Sequence, residues 1–323
     1  MINVIISHSA DLDGISSAAL LIRKSISSDT PYLLYFRDYK DNDRVYPENI
    51  TNIKEVKVFI ADISTNLNSI DLIIERIKKT DGNVEWTDHH VTKEEIIKKL
   101  EGINVGLLVE KDAGSASVLV QKRYDLEDEI SKLIADAGFQ SDTLNIKDQY
   151  VMDLVDIIDY FNYLEKDPPR CRLAFLAVQL ALKGPKEVVT EDLKNVLEYY
   201  RNKKREELEY TAKSVRFFNI NGYRFAIAYA TSLISGTQAA NKIIENNDAD
   251  VYIIVKDEGG MSFRRKKNSN INLVPLANIF GGGGHEYASG ANLGKKVKPD
   301  EFEKVSKEIY EKIKENWLSP SSI

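Results

Sequence analysis

The sequence of 323 residues carries a net charge of -6, with 43% hydrophobic and 29% charged residues. This composition is typical of a soluble globular protein with room for two domains, and it excludes a disordered chain. The single Cys171 excludes an internal disulfide framework and any cysteine-rich zinc site, so a metal would need carboxylate and histidine ligands in a reducing compartment.

The first 110 or so residues alternate strand-like and helix-like segments. Apolar runs at residues 2–7 and 56–61, and a third strand through Val84, are separated by amphipathic stretches at 14–27 and 69–79. Such alternation predicts βαβ units and a mostly parallel sheet with flanking helices, an α/β fold. In that architecture ligands bind beyond the carboxyl ends of the strands.

Side chains that can bind metals follow each of these three predicted strands. Taken separately, the acids also fit helix N-terminal charges, turns or caps, and tandem histidines fit a polar strand end. Taken together at one edge of one sheet, they predict a cation site with oxygen and nitrogen ligands. The side chains are His8, Asp11 and Asp13 after the first strand, Asp62 after the second, and Asp88, His89 and His90 after the third.

The middle of the chain is predicted to be helical. Ser115 precedes an apolar helical run and is either a helix N-cap or a phosphate contact at a helix N-terminus. A helix over residues 130–137 is followed by Asp142, a further candidate ligand, with Asp136 as the competing candidate. Residues 150–182 are helical with a break at Pro168–Pro169, and residues 190–214 form one long charged helix.

The last third of the chain predicts a second, smaller α/β domain. A hairpin over residues 217–229 precedes a helix at 238–246 and a strand at 251–255. We therefore expect domains at residues 1–185 and 215–323, joined by a linker helix at 186–214. Four consecutive glycines, Gly281 to Gly284, precede His285 in the second domain. Such a run is either a flexible turn or a place where backbone N–H groups approach an anion, and His285 with the nearby Arg264 favours phosphate binding.

These motifs, in this order, resemble those of the DHH phosphoesterase family with its associated C-terminal domain, the group of RecJ-like exonucleases and small oligoribonucleases. The resemblance covers essentially the whole chain, although the spacing of the first-motif acids differs from that of many members. The matching segments are Ser7-His8-Ser9-Ala10-Asp11-Leu12-Asp13-Gly14, Asp62, Asp88-His89-His90, Gly138 with Asp142, Ser262-Phe263-Arg264, and Gly282-Gly283-Gly284-His285 with Ala288-Ser289-Gly290.

The resemblance and the ligand chemistry together imply a catalytic first domain with two Mn²⁺ ions, or Mg²⁺ in their place. Asp88 would orient a ligating histidine, and His90 would contact the scissile phosphate. The second domain would close over the cleft and hold the substrate. The implied ligands are His8, Asp11 and Asp62 for one ion, and Asp13, Asp62, His89 and Asp142 for the other. The implied substrate-binding residues are Ser115, Arg264, Gly282, Gly283, Gly284 and His285.

The implied activity is hydrolysis of short single-stranded RNA to 5′-mononucleotides, with single-stranded DNA as a lesser substrate. Larger RecJ-type nucleases add an oligonucleotide-binding barrel, and this chain has no residues left over for one, so short substrates are favoured. Alternatives are a hydrolase of cyclic dinucleotides or their linear products, and a hydrolase of 3′-phosphoadenosine phosphate. A replisome scaffold without activity is the alternative outside the enzymes.

The sequence also predicts where the protein works and what it does not bind. The net negative charge argues against coating of duplex nucleic acid, although the basic run at residues 264–267 offers phosphate contacts. The longest apolar run, at residues 173–178, is too short to span a bilayer, and the N-terminus lacks the features of a signal peptide. We expect a cytoplasmic protein with no membrane partner, and its oligomeric state is left open, with a homodimer as one option.

Overall fold

The computed structural model describes residues 1–38, 45–103, 105–165, 169–245, 247–266 and 269–317. Pro168 of the predicted helix break, Asn246 at a predicted helix end and Lys267 of the basic run lie outside these ranges. The chain divides into two units, Met1–Glu198 and Tyr199–Ile323. Each is described by itself.

The first unit is built on a parallel sheet of five strands. Its strands are β1 (Ile2–His8), β2 (Tyr32–Arg37), β3 (Val56–Ala61), β4 (Gly82–Asp88) and β5 (Gly106–Val109). They lie in the order β2-β1-β3-β4-β5, and every neighbouring pair is parallel. The central strands β1 and β3 are mostly apolar and largely buried, because a parallel sheet in this architecture is covered by helices on both faces.

Helices cover both faces of this sheet. They are α1 (Leu12–Ser27), α2 (Ile70–Lys79), α3 (Glu94–Glu101), α4 (Ala116–Arg123), α5 (Glu129–Asp142), α6 (Gln149–Leu164) and α7 (Cys171–Lys183), and a short 3₁₀ helix spans Glu48–Asn52. The division between the two units falls within α8 (Glu191–Ser214). Helix α1 and helices α4 to α7 pack around Ile5 and Phe59 on one face. Helices α2 and α3 pack against Ile6, Val58 and Trp86 on the other face. These two cores fix the sheet, and with it the positions of its strand ends.

The second unit contains a mixed sheet of six strands in the order β10-β11-β9-β8-β7-β6, in which only the pair β7–β8 is parallel among the described strands. Helix α9 covers one face, and α10 and α11 cover the other. The elements are β6 (Arg216–Ile220), β7 (Tyr223–Ala230), α9 (Gly236–Ile244), β8 (Val251–Lys256), β9 (Gly260–Arg265), α10 (Val274–Asn278), β10 (Gly283–His285), β11 (Ala288–Asn292), a 3₁₀ helix at Pro299–Glu301, and α11 (Phe302–Asn316).

The predicted α/β class, with a mostly parallel first sheet and a smaller second α/β domain, is confirmed. One local prediction was wrong. Helix α5 continues through Gly138 to Asp142, so this acid lies in the last helical turn and not beyond the helix end. In the glycine run, Gly283 and Gly284 belong to strand β10, which pairs with β11. None of the described helices combines the length and the apolar character needed to cross a lipid bilayer.

Candidate metal centre

The acids and histidines predicted as metal ligands meet at the carboxyl edge of the parallel sheet. Because β1, β3 and β4 are adjacent and parallel, Ser7, Ala61 and Thr87 lie side by side, and the chain leaves all three strands at the same edge. The ligands follow at once: His8 ends β1, Asp11 and Asp13 begin α1, Asp62 follows β3, His89 and His90 follow β4, and Asp142 ends α5.

Three groups of these side chains are compact enough to hold a cation. In the first, the Nδ1 atom of His8 lies 3.0 Å from an oxygen of Asp11 and 3.6 Å from an oxygen of Asp62. The donor atoms within each group lie within 4.8 Å of one another. The groups are His8, Asp11 and Asp62; Asp13, His89 and Asp142; and Asp62, His89 and His90.

Asp62 connects these groups. Its Oδ2 faces His8, while its Oδ1 lies 3.4 Å from Nε2 of His89 and 3.8 Å from Nδ1 of His90. The backbone of Asp62 is left-handed, with φ 57°, a conformation that aspartate tolerates better than most residues. The carboxylate therefore presents one oxygen to each of two neighbouring ligand sets.

The donor set fits divalent cations. Asp62 is only 1% exposed, and neither carboxylate oxygen has a hydrogen-bond partner among the described residues. Buried carboxylates are normally hydrogen-bonded or paired, because an unpaired buried charge is costly. A cation between Asp62 and the histidines would replace the ion pairs with His8 and His89 by direct coordination of the carboxylate. Mixed carboxylate and imidazole ligation suits Mn²⁺ better than Ca²⁺ or Mg²⁺.

Asp13 is held in place by the N-terminus of α4. Its Oδ2 accepts a hydrogen bond from the backbone N–H of Ala116 at 2.7 Å, and its Oδ1 accepts one from Ser117 at 2.9 Å. The helix N-terminus also favours the negative charge. These bonds aim Oδ2 at Nε2 of His89, 3.7 Å away. Ser117 was not predicted in this role, because the contact joins residues far apart in the chain and no local pattern marks it.

Gly138 leaves room for this arrangement. A Cβ atom at position 138 would lie 2.3 Å from Oγ of Ser117 and 2.8 Å from Oδ1 of Asp13. Both separations are far below van der Waals contact. Helix α5 therefore approaches Asp13 closely only because residue 138 has no side chain, and this approach brings Oδ2 of Asp142 to 3.7 Å from His89.

Asp88 holds the tandem histidines in place through hydrogen bonds. It is 2% exposed, and its Oδ1 accepts hydrogen bonds from the backbone N–H groups of His89 and His90, at 2.9 and 3.3 Å. The same oxygen lies 2.8 Å from Nδ1 of His90. With Nδ1 donating to Asp88, the orientation of the His90 ring is fixed.

The sequence left open whether Asp142 or Asp136 is the ligand, and whether Ser115 is a helix N-cap or a phosphate contact. Asp142 lies beside His89, whereas Asp136 is exposed and accepts a hydrogen bond from Gln140 at 2.7 Å. Ser115 is the N-cap of α4, fully buried, and its hydroxyl accepts a hydrogen bond from the backbone N–H of Val118. Its contact with a substrate stays a prediction.

The substrate-binding residues predicted in the second unit lie on strands β9 and β10 and in the segment before β10, with β11 between the two strands. Arg264 on β9 donates to the hydroxyl of Thr237, at the start of α9, at 3.0 Å, and burial lowers the pKa of its guanidinium. Thr237 was not predicted from the sequence. His285 ends β10, and its ring stacks on that of Tyr287 with centroids 5.6 Å apart.

The glycine run has two kinds of glycine. A Cβ at Gly282 would lie 2.0 Å from the carbonyl oxygen of Gly290, and Gly284 has φ 139°, so the hairpin itself requires both. Gly283 differs, because a Cβ there would meet nothing within 4 Å. The fold thus gives no reason for glycine at position 283.

Without cations, the cluster holds protons. Burial alone would lower the pKa of His8, but Asp11 and Asp62 outweigh it and raise the pKa to about 10. Burial alone would also lower the pKa of His89. The surrounding acids Asp62, Asp13 and Asp142 outweigh burial and raise this pKa to about 9. Burial and the charge of Asp62 raise the pKa of Asp13. Metal ligands must release such protons before they coordinate.

Metal binding should therefore release protons near neutral pH. At pH 7.5, where His8 and His89 are protonated in the metal-free protein, we expect about two protons to leave as Mn²⁺ fills the sites. Calorimetric titration with Mn²⁺ in buffers of different ionisation enthalpy gives the number. His8→Gln should reduce it by about one. Release of no protons at this pH would show that the imidazoles are not ligands.

The raised pKa values of His8 and His89 determine whether the metal-free protein becomes more or less stable as the pH rises. A histidine whose folded pKa is raised above its ordinary value of 6.5 stabilises the fold fully below pH 6.5, and this contribution is lost as the pH rises toward 9 and 10. We expect the Tm of the chelated protein to fall across that interval, and the Tm gain from Mn²⁺ to grow. A metal-free Tm that rises over this range would contradict the assignment.

Comparison with known proteins places the fold. Residues 226–315 match the DHHA1 domain family. A comparison with curated proteins gave no match. Among solved structures, the chain is similar to a pGpG-specific phosphodiesterase, PggH from Vibrio cholerae, with 14% identity, a TM-score of 0.56, and coverage of 98% of this chain and 100% of that one.

Two RecJ structures are also similar. A RecJ exonuclease bound to manganese shares 13% identity at a TM-score of 0.55, over 99% of this chain and 91% of that one. RecJ from Thermus thermophilus in complex with Mn²⁺ shares 14% identity at a TM-score of 0.51, over 99% of this chain and 52% of that one. The DHHA1 match and the shared fold confirm the predicted resemblance to the DHH family.

Proposed function

We propose that this chain, which combines the fold of DHH-family phosphoesterases with a DHHA1 domain, is a metal-dependent phosphodiesterase. The proposal depends above all on one observation: Asp62, buried and without a hydrogen-bond partner among the described residues, offers its two oxygens to adjacent ligand sets. When bound, two divalent cations activate water and offset the negative charge of a phosphodiester. The ligand set is complete, which argues against a scaffold without activity.

Each of the chain's own residues then has a defined task. His8, Asp11 and Asp62 hold one ion, and Asp13, Asp62, His89 and Asp142 hold the other, with Mn²⁺ preferred. The backbone of α4 keeps the carboxylate of Asp13 oriented. Asp88 fixes the ring of His90, which would contact the scissile phosphate.

We propose short single-stranded oligonucleotides as substrates, degraded to 5′-mononucleotides in the cytoplasm. The chain covers the whole length of the V. cholerae pGpG-specific phosphodiesterase but only 52% of Thermus RecJ. The likeness to a pGpG-specific phosphodiesterase supports short substrates, and it also supports a second candidate, a hydrolase of linear dinucleotides. In the second unit, Arg264, Gly282, Gly283, Gly284 and His285 would hold a substrate phosphate or terminal nucleotide.

Substrate length and type should separate these candidates. We expect purified protein with Mn²⁺ to hydrolyse 5′-labelled RNA of two to about five nucleotides faster than strands of about twenty, and to stall at duplex. The same DNA series, and reactions with Mg²⁺ or Ca²⁺, complete the assay. Activity confined to dinucleotides would favour the second candidate. Processive digestion of long single-stranded DNA in preference to short RNA would contradict both and indicate a RecJ-type nuclease.

Arg264 and Gly283 should affect substrate binding but not metal content. Arg264→Ala removes a charged hydrogen-bond donor and should lower kcat/KM about 10- to 100-fold. Gly283→Ala adds a methyl group that contacts no protein atom, so the Tm should not fall. KM should rise, because the methyl group would lie where the substrate is proposed to bind. Gly260→Ala, where the nearest atom to the added carbon is 3.8 Å away, is the control. If both variants keep wild-type kinetics on every nucleotide substrate, these residues belong to a solvated surface.

A further inference from the structure

The second unit has a cleft whose lining includes none of the residues assigned above to metal or substrate binding. Its volume is about 230 Å³. It lies between α11 and the segment that follows β11, with Phe280 at one side. The lining residues that matter below are Phe280, Leu293, Lys295, Glu308, Ile309 and Lys312.

The cleft combines an apolar floor with a cationic rim. Leu293 is half-buried and Ile309 is fully buried, and the ring of Phe280 adds a flat apolar wall. Lys295 and Lys312 are exposed at the rim. A ligand that matches both features has a flat apolar body and an anionic group.

The acid in the lining does not cancel this positive charge. Glu308 lies 3.0 Å from Nζ of Lys295 and 3.9 Å from Nζ of Lys304, so two lysines share one carboxylate. Lys312 lies over the ring of Phe280, with its Nζ 4.8 Å from the centroid. The rim is therefore net positive and attracts anions.

Phe280 connects the cleft to the predicted substrate-binding segments. It directly precedes Gly281 and the rest of the glycine run. On its other side its ring contacts that of Phe263, with centroids 6.2 Å apart, and Phe263 directly precedes Arg264. Any ligand that moves Phe280 acts on both segments through direct contacts.

We propose that this cleft binds a small aromatic anion of the nucleoside 5′-monophosphate class. The base would lie on the aliphatic floor and displace the ammonium group of Lys312 from the Phe280 ring, and the phosphate would bind Lys295 and Lys312. The volume lies below the usual range of about 300–1,000 Å³ for drug-sized ligands, so the cleft takes one nucleotide and not an oligonucleotide. Its occupancy adjusts Phe280 and with it the glycine run and Arg264.

Calorimetric titration of the full-length protein with 5′-AMP, in chelator, tests the site without requiring hydrolysis. We expect AMP to bind, and adenosine or inorganic phosphate alone to bind at least about tenfold more weakly. The double variant Lys295→Glu/Lys312→Glu should weaken AMP binding by at least about tenfold, because it reverses the charge of the rim. Leu293→Trp, which fills the cleft without changing its charge, should have the same effect.

Two control variants decide where the nucleotide binds. Lys314→Glu reverses an exposed lysine on the same helix outside the lining and should leave the affinity unchanged, as should Arg264→Ala. Loss of binding in Arg264→Ala with retention in the rim variant would place AMP at the predicted substrate site and overturn the proposal. Equal loss in Lys314→Glu would show unspecific attraction to a basic helix, and no AMP binding to the wild type would also overturn it.

Discussion

Asp62→Asn should lower kcat/KM for every phosphodiester substrate by about 10³-fold or more, which corresponds to about 4 kcal/mol of transition-state stabilisation. The substitution removes a carboxylate that faces both ligand sets, so each of the two proposed ions would lose a ligand. Asparagine tolerates the left-handed backbone at this position, φ 57°, and fits the same volume. Steady-state kinetics and metal analysis after dialysis measure the two effects.

The fold should survive this change. In chelator near neutral pH, Asp62→Asn should still unfold in one cooperative transition, with a Tm somewhat below that of the wild type, because the charged His8 and His89 lose a buried partner. Mn²⁺ should then raise the Tm of the wild type but not that of the variant. Asp125→Asn is a matched control, since Asp125 has φ 52° but is exposed and away from the cluster. Wild-type turnover in Asp62→Asn would remove the two-metal hypothesis.

Gly138→Ala should lower kcat/KM by about 10- to 100-fold although residue 138 contacts no substrate. The added carbon cannot occupy its place 2.3 Å from Ser117 and 2.8 Å from Asp13, so the helix or the carboxylate must move. Either movement separates the ligands of the second set. We expect a weaker affinity for Mn²⁺, measured by titration, and a lower kcat/KM at fixed metal concentration.

A second substitution tests this explanation. Ser117→Ala removes the hydroxyl that the new methyl group meets, so the double variant Gly138→Ala/Ser117→Ala should recover part of the lost metal affinity. Ser117→Ala alone should have a smaller effect, because the bond to Asp13 comes from the backbone N–H. No recovery, together with unchanged affinity in Gly138→Ala, would show that α5 adjusts at no cost and that the glycine has no role at the site.

The sequence predicted the central strands well because their signal is local. Residues 2–7 and 56–61 are mostly apolar, and both form strands buried on two faces. The edge strands were not assigned: β2 is half-exposed and β5 has only four residues, so neither gives a clear periodic pattern. The predicted end of α5 at residue 137 followed from the helix-breaking tendency of glycine. Here the glycine is retained for close packing inside the helix.

The part of the candidate site that depends only on the strands could be predicted from the sequence. Parallel strands place the residues that follow them at one edge, which is why the sequence alone was enough to group His8, Asp62 and His89. The contacts that aim these ligands could not be predicted. The bonds from α4 to Asp13 and the closeness of Gly138 to it depend on how helices pack, and no local pattern of residues encodes that packing.

The backbone of Asp62 has a consequence for mutational tolerance. A left-handed residue with no room around it selects for asparagine, aspartate, histidine or glycine. A ligand shared by two cations selects for a side chain with two donor oxygens, which among these only aspartate has. Glutamate meets the second requirement but not the first, and asparagine meets the first but not the second. In a saturation library at codon 62 selected for activity, aspartate should be recovered alone, whereas a selection for folding should also retain asparagine and glycine.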